Sequence, residues 1–327
     1  MNKKNLPVLD RVVKKEGAMT QGFIDVAQKP DSSWVSLPVV IIEGKEQGPV
    51  FLADACNHGD EYEGAEAIIR FIREFKNGNF KGVFIGVLAV NFDAFVMNTR
   101  SSPIDFQNMN RIYPGNPDLY ISNRVAYTHF ERVMKQADYF ISFHGGGVAL
   151  HLDPVVGYQG GSEATAQTSR KMAEAYGATL LWRMQNLPFS GASSMEAEKV
   201  GIPGIVPEVG SHCGRLYDWE KNVQIHYQGL KNVMISLGMI EGEMKRAEKQ
   251  IDIELHYLHT PIGGIHNLLK KPMEMVKEGD TLAAVTDVFG NPVGEIKSPF
   301  DAVVVGFYSI PVIKPGDWSY MIGKVLK

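Results

Sequence analysis

Apolar runs bounded by glycine, proline and charge alternate along most of the chain with stretches whose apolar positions recur every three to four residues. SLPVVIIEG (36–44) and GPVFLADAC (48–56) read as strands. From Asp60 to Lys76, the residues Ala65, Ile68, Ile69, Ile72 and Phe75 share one helical face, and Asn77-Gly78 stops the helix. GVFIGVLAV (82–90) reads as a buried strand, and an irregular stretch rich in Asn, Pro and Ser runs from Asn91 to about Asp118. A helix over Ser122–Gln136 leads into the strand ADYFISFH (137–144). PVVGY (154–158) reads as a strand, followed by a helix from Ser162 to Tyr176 that Gly177 closes. ATLLW (178–182) is a strand, Ser193–Val200 a short helix, and GIPGIVPEV (201–209) a strand. A long helix over 217–240 follows, with Val223, Tyr227, Leu230, Val233, Met234 and Leu237 on one face. This alternation predicts an α/β fold, its mostly parallel or mixed sheet covered by helices.

The pattern changes at EGEMKRAEKQ (241–250), where six of ten residues are charged, as in a solvated connection. Beyond it no helical period recurs, and short β-type runs are separated by EGD, FGNP and KPGD turns. VKEGD at 276 and IKPGD at 313 repeat one another, with Asp280 and Asp317 lying 37 residues apart. The expected organisation is a catalytic α/β domain over 1–250 and a small all-β domain of two similar halves over 251–327.

Composition narrows the class without choosing a function. The 327 residues are 44% hydrophobic and 21% charged, as in ordinary globular proteins. The net charge of −4, with no basic block, argues against a nucleic-acid partner. VFIGVLAV is far too short an apolar run to span a bilayer, so no membrane role is expected. MNKKNLPVLDRVVKKEG has no apolar core after its charges and does not read as a secretory signal. Two cysteines, Cys56 and Cys213, require no disulfide framework, which fits a reducing cytoplasm and small core residues.

Candidate chemistry collects at strand ends, where open α/β sheets form their sites. His58 and Glu61 follow one strand, His144 a second and Glu208 a third. Two imidazoles and a carboxylate make a His₂Glu set of the kind that binds catalytic zinc, leaving a position for water. A second carboxylate could then take the proton. The same residues also fit a bland account: a polar loop before an acidic helical turn, a histidine hydrogen-bonded beside glycine, a glutamate capping a helix. Arg100, Asn110 and Arg111 lie in the irregular stretch between them.

That stretch makes a resemblance specific. NHGDE resembles the H-G-x-E zinc motif of the succinylglutamate desuccinylase/aspartoacylase family, which belongs with the zinc carboxypeptidases. NMNRIYPG resembles its D-L-N-R-x-F-P-G motif, with Asn108 and Met109 where Asp and Leu are usual. FISFHGGG is similar to the strand carrying the third ligand, GIPGIVPEVG to the strand carrying the catalytic glutamate, and the trailing β-domain also matches. The resemblance covers roughly residues 50–215 in the family's order. It implies a carboxypeptidase-like fold and one zinc ion per chain, bound by His58, Glu61 and His144. Glu208 would be the general base and then the acid, and Arg100 would steady the oxyanion. Asn110 and Arg111 would hold the carboxylate of a small-molecule N-acyl amino acid substrate.

The departures bear on the substrate. Aspartoacylases carry a further arginine shortly before the catalytic glutamate, whereas SSMEAEKVGIPGIVPE offers Glu196, Glu198 and Lys199 instead. Glu196 and Glu198 read first as a solvated helix face. Alternatively one of them, or Asp153, meets a cationic group. One branch of the family deacetylates diamino acids such as N-acetyl-diaminobutyrate, and the long β-domain resembles that branch. His151 and His212 fall near the presumed site, while His129, His226, His256, His259 and His266 read as structural or surface residues. The β-domain resembles a lipoyl/biotinyl-type fold, but TDVFGNPVGEI lacks the lysine hairpin that carries such a group. It is expected to wall the site and pack against a neighbour, which makes a homo-oligomer plausible. The leading expectation is a zinc-dependent deacylase. A zinc carboxypeptidase for short peptides would use the same ligands and Arg111, and a non-catalytic binding protein would need neither Glu208 nor Arg100.

Overall fold

The computed structural model describes residues 6–161, 163–185, 187–211 and 218–326. Along the chain these form β1 (Arg11–Glu16), β2 (Met19–Gln28), β3 (Trp34–Glu43), β4 (Glu46–Ala55), α1 (Glu63–Phe75), β5 (Lys81–Val87) and α2 (Phe92–Met97). Then come α3 (Ile121–Arg132), β6 (Tyr139–Phe143), β7 (Leu150–Gln159), α4 (Ala164–Tyr176), β8 (Leu180–Met184), α5 (Ser193–Lys199), β9 (Gly204–Ser211) and α6 (Trp219–Ser236). The last part is all strand: β10 (Ile251–His259), β11 (Gly264–Leu268), β12 (Met275–Val276), β13 (Thr281–Thr286), β14 (Pro292–Lys297), β15 (Ala302–Tyr308), β16 (Val312–Ile313) and β17 (Trp318–Val325). Among the described residues, no helix is long and apolar enough to cross a membrane.

One 13-stranded sheet runs in the order β1-β2-β3-β5-β4-β6-β9-β7-β8-β10-β17-β15-β12. The sheet is mixed rather than mostly parallel. β5-β4-β6-β9 and β7-β8-β10 pair in parallel, but β7 runs antiparallel to β9, and the strands at both margins pair antiparallel. Alternate residues of the central strands enter opposite cores, as a strand's period of two requires. Phe51 and Phe84 pack under α1, α4 and α6, while Leu52 and Ile85 pack under α3 and α5. Helices thus cover both faces, and the loops at the strand ends stay free to build a site.

The β1–β2 hairpin and α2 have no counterpart among the expected elements. β1 is exposed at every position, so it carries no buried stripe to read. α2 has six residues, too short for a helical period to repeat. The expected helix starts at Ser162 and Tyr217 lie outside the described residues, and so do His212 and Cys213.

The expected boundary near 250 falls between α6 and β10, and the strands beyond it join the main sheet. β10 pairs with β8 in parallel, and β15 adds to β7 through Gly306↔Leu152. A second sheet, β14-β13-β11-β16, packs on β12, β15 and β17 around Leu282, Val285, Val304, Tyr320 and Ile322. The repeated VKEGD and IKPGD are two copies of one turn. The Lys277 amide donates to Asp280 Oδ2 at 2.8 Å, and the Lys314 amide to Asp317 Oδ2 at 2.8 Å.

Candidate active site

β4 ends in a sharp turn, where Cys56 adopts φ 54° and its thiol donates to the Glu61 carbonyl at 3.2 Å. His58 and Glu61 sit in that turn, ahead of α1, so Glu61 is a loop residue and not part of an acidic first helical turn. β6 delivers His144 beside β9: the His144 amide donates to the Pro207 carbonyl at 2.9 Å, and the Val209 amide to the His144 carbonyl at 3.2 Å. This short parallel pairing puts Glu208 next to His144. The glycines after His144 are there for contact rather than flexibility. A Cβ on Gly145 would lie 2.4 Å from the Val209 carbonyl oxygen, and one on Gly147 (φ +52°) 2.4 Å from Asp60 Oδ2.

His58, Glu61 and His144 are all buried, and one ligand atom from each lies within 4.8 Å of the others. Glu61 is the hub. Its Oε1 lies 2.9 Å from His58 Nδ1 and accepts from Arg100 Nη1 at 2.9 Å, and its Oε2 lies 2.8 Å from His144 Nδ1. Asn108 Oδ1 accepts the Asn110 amide at 3.0 Å and lies 3.1 Å from His58 Nε2. That oxygen can only accept, so His58 carries its proton on Nε2 and turns the Nδ1 lone pair toward Glu61. Burial lowers His58 to about 4, with the Arg100 charge adding to the effect, so near neutral pH the ring is uncharged. A lone pair aimed at a carboxylate oxygen calls for a cation between them. Burial opposes ionisation of Glu61, but His144, itself raised by the same contact, outweighs it and holds the carboxyl well below its usual range. The donor set therefore fits a divalent metal such as zinc.

The other expected residues line the same pocket: Arg100, Asn110, Arg111 and Glu208. Asn110 Oδ1 accepts the Ser193 amide at 2.9 Å, tying the loop to the start of α5, so its Nδ2 donates to His144 Nε2 at 3.3 Å. The His144 proton then faces Glu61 from Nδ1 and is the one a metal would displace. Arg111 stacks on Phe189 at 3.9 Å and donates to the Asn110 carbonyl at 2.7 Å. Burial lowers the Arg111 guanidinium, with the Arg100 charge adding to the effect. Burial raises the Glu208 carboxyl, against the pull of His144 and with a further push from Glu61. Asn108, Phe189 and Tyr257 received no role from sequence reasoning. Tyr257 reaches the pocket from β10 with Trp318 and Met321 of β17, and no local motif announces a residue that enters through a distant strand.

The residues considered for a cationic side chain separate. Glu196 is buried and accepts from Lys199 Nζ at 2.6 Å, so it is not on a solvated face. Asp153 lines a different groove, beside Tyr176 and Gln224. Glu198 borders a depression that shares Met184, Leu187 and Ser194 with the site. His151 sits 3.0 Å from Ser211 Oγ and packs its ring on Phe307.

The whole chain has relatives of this architecture. The N-alpha-acetyl-L-2,4-diaminobutyric acid deacetylase of Halomonas elongata is 26% identical over 333 aligned positions, covering 98% of this chain and 96% of that protein. The product-bound structure of the ectoine utilization protein EutE (DoeB) from Ruegeria pomeroyi superposes with a TM-score of 0.88 at 25% identity, covering 99% of each chain. A succinylglutamate desuccinylase from Silicibacter sp. TM1040 superposes with a TM-score of 0.87 at 25% identity, covering 98% of this chain and 100% of that one. Residues 47–235 match the model of the succinylglutamate desuccinylase/aspartoacylase catalytic domain, and with more than half of the chain inside that match, the protein belongs to this family of deacylases.

Proposed function

We propose that the protein is a zinc-dependent amidohydrolase that removes a small acyl group from an N-acyl amino acid, with His58, Glu61 and His144 holding one zinc ion per chain. The observation that carries this is the His58 Nδ1 lone pair facing Glu61 Oε1 at 2.9 Å, with His144 Nδ1 at the other oxygen of the same carboxylate. Zinc, when bound, supplies Lewis acidity: it polarises an amide carbonyl and brings the pKa of a water from ~15.7 toward ~7.

The chain's own groups do the rest. Glu208 takes a proton from the attacking water and passes it to the leaving amine nitrogen, and a carboxyl raised by burial suits both transfers near neutral pH. Arg100 donates to the oxyanion as it develops. The outward N–H groups of Arg111, with the second N–H of Asn110 Nδ2, clamp the substrate carboxylate. Residues 1–250 carry this chemistry, and the β-unit over 251–327 closes the pocket with Tyr257, Trp318 and Met321. That wall favours a small N-acyl amino acid over a peptide. The relative's activity, together with Glu198 in the depression that adjoins the pocket, supports an N-acetyl diamino acid as substrate. A cytoplasmic location is part of the same proposal.

Protein prepared without chelator should contain about one zinc per chain by elemental analysis, as a single His₂Glu set with an open position for water implies. It should release acetate from N-α-acetyl-L-2,4-diaminobutyrate faster than from N-acetyl-aspartate. His144→Ala should lose the metal with its circular dichroism unchanged. Full zinc in that variant would sink the ligand assignment, and no acetate from any N-acyl amino acid would sink the activity.

A further inference from the structure

Behind the metal-binding pocket lies a buried polar cluster that the chemistry above does not use. Asp54 of β4 and His129 of α3 are 0% exposed, and Tyr113 is buried. Asp54 Oδ1 accepts from Ser142 Oγ at 2.7 Å and from Asn57 Nδ2 at 3.2 Å. Asn57 Nδ2 also donates to Ser142 Oγ at 3.2 Å, and Asn57 Oδ1 accepts from the Tyr113 hydroxyl at 3.1 Å. The Tyr113 hydroxyl oxygen lies 2.8 Å from His129 Nδ1. His129 Nε2 faces Asp54 Oδ2 at 3.5 Å, and neither atom has another hydrogen-bond partner.

Counting protons restricts the arrangement. The Asn57 amide is fixed with its nitrogen toward Asp54, because the reverse would set its oxygen against a carboxylate oxygen. Its oxygen then takes the Tyr113 proton, so the Tyr113 oxygen must accept from His129, which places a proton on Nδ1. A neutral His129 then turns a bare Nε2 toward Asp54 Oδ2. Two bare acceptors in a dry interior repel, so one proton belongs between them. On the ring it would create a buried ion pair, whereas on Asp54 every group stays neutral, and in a place without water the neutral form is favoured. Burial moves the two groups in the matching directions: Asp54 up to about 7 and His129 down to about 3.

We infer that Asp54 is held as the neutral acid and starts a one-way hydrogen-bond chain, Asp54 to His129 to Tyr113 to Asn57, that positions the active site. The chain joins the three segments that supply the pocket. Asn57 precedes His58, Ser142 lies two residues before His144, and Tyr113 lies two residues after Arg111. These are positioning residues, and their effect on turnover rests on the proposed activity. Their protonation does not.

The test has two arms on the zinc-loaded protein. In the first, nitrogen NMR of the His129 ring should show a neutral imidazole protonated at Nδ1 and unchanged from pH 5 to pH 6, below the value to which burial raises Asp54. An imidazolium, or a proton on Nε2 alone, would overturn the assignment whatever the protein hydrolyses. The second arm compares Asp54→Asn with Asp54→Leu and Tyr113→Phe. An asparagine copies the neutral acid, accepting from Ser142 and donating to His129. Asp54→Asn should therefore keep kcat/KM for N-α-acetyl-L-2,4-diaminobutyrate within about twofold of the parent protein. Asp54→Leu and Tyr113→Phe break the chain, and loss of such outer partners typically lowers metal affinity or activity by 10–100-fold. Tyr113→Phe is the milder change and keeps the test open if Asp54→Leu does not fold. Equal kcat/KM in Asp54→Asn and Tyr113→Phe, or a loss in Asp54→Asn as large as in Asp54→Leu, would remove the chain from the account.

Discussion

Glu61 and Glu208 are carboxylates of one pocket whose surroundings push them apart. His144 and Arg100 face Glu61 and keep it ionised, while burial dominates at Glu208 and raises it. Such a separation marks a fixed anion beside a proton carrier. Glu208→Gln should therefore retain zinc yet lower kcat by at least about a hundredfold, the scale of general acid–base catalysis. Lost affinity with turnover preserved would make Glu208 a binding residue instead. Arg111→Lys tests the clamp. A lysine keeps the charge but loses both the planar fork and the stack on Phe189. Losing a hydrogen bond to a charged group costs about 1.5–3 kcal/mol, so kcat/KM should fall by roughly 10- to 150-fold. Unchanged kcat/KM in Arg111→Lys would remove the carboxylate clamp. At this scale the ligand candidates were legible because each closes a strand in a short motif. Asn108, Phe189 and Tyr257 were not, since their roles depend on which segments the fold brings together.

Elements show the same division. α1, α4 and α6 could be read from their apolar stripes, because a buried face repeats over several turns. β1 could not, because RVVKKE exposes both of its sides. The packing of α6 on α4 depends on a position that no periodicity marks. Gly229 lies inside α6, where glycine is ordinarily about 1 kcal/mol worse than alanine. On an open surface Gly229→Ala would stabilise the helix. Here a Cβ would stand 2.2 Å from Tyr176 Cε2, and Tyr176 is pinned by a 2.8 Å hydrogen bond from its hydroxyl group to His226 Nδ1. The ring has nowhere to swing, so overpacking wins. Gly229→Ala should destabilise by about 1–3 kcal/mol, measured as a lower midpoint of thermal or denaturant unfolding. A stabilised variant would mean that α4 and α6 slide apart at little cost.

For the whole molecule, the charged stretch 241–250 looks like a place to divide the chain. The change of pattern there and the repeated turns were legible. The pairing of the later strands was not, because register across a sheet leaves no local mark. β8 has β10 as its outer neighbour, and Leu150, Leu152, Leu180 and Trp182 share one core with Ile253, Leu255, Val305 and Met321. Cutting after residue 250 would strip that core of half its members. It would also open an apolar edge at Leu180, Leu181 and Trp182 of β8, the kind of edge that pairs with other chains. The fragment 1–250 should therefore aggregate on expression, or lack a cooperative thermal transition, although every residue assigned to the metal and to proton transfer lies inside it. Refolding it with a separately made 251–327 fragment should recover zinc binding, if the two halves of the core re-form. A soluble 1–250 fragment that melts cooperatively and binds zinc by itself would show that the β-strands are an added wall. Failure of the fragment alone, with recovery on mixing, would make them a structural part of the catalytic sheet.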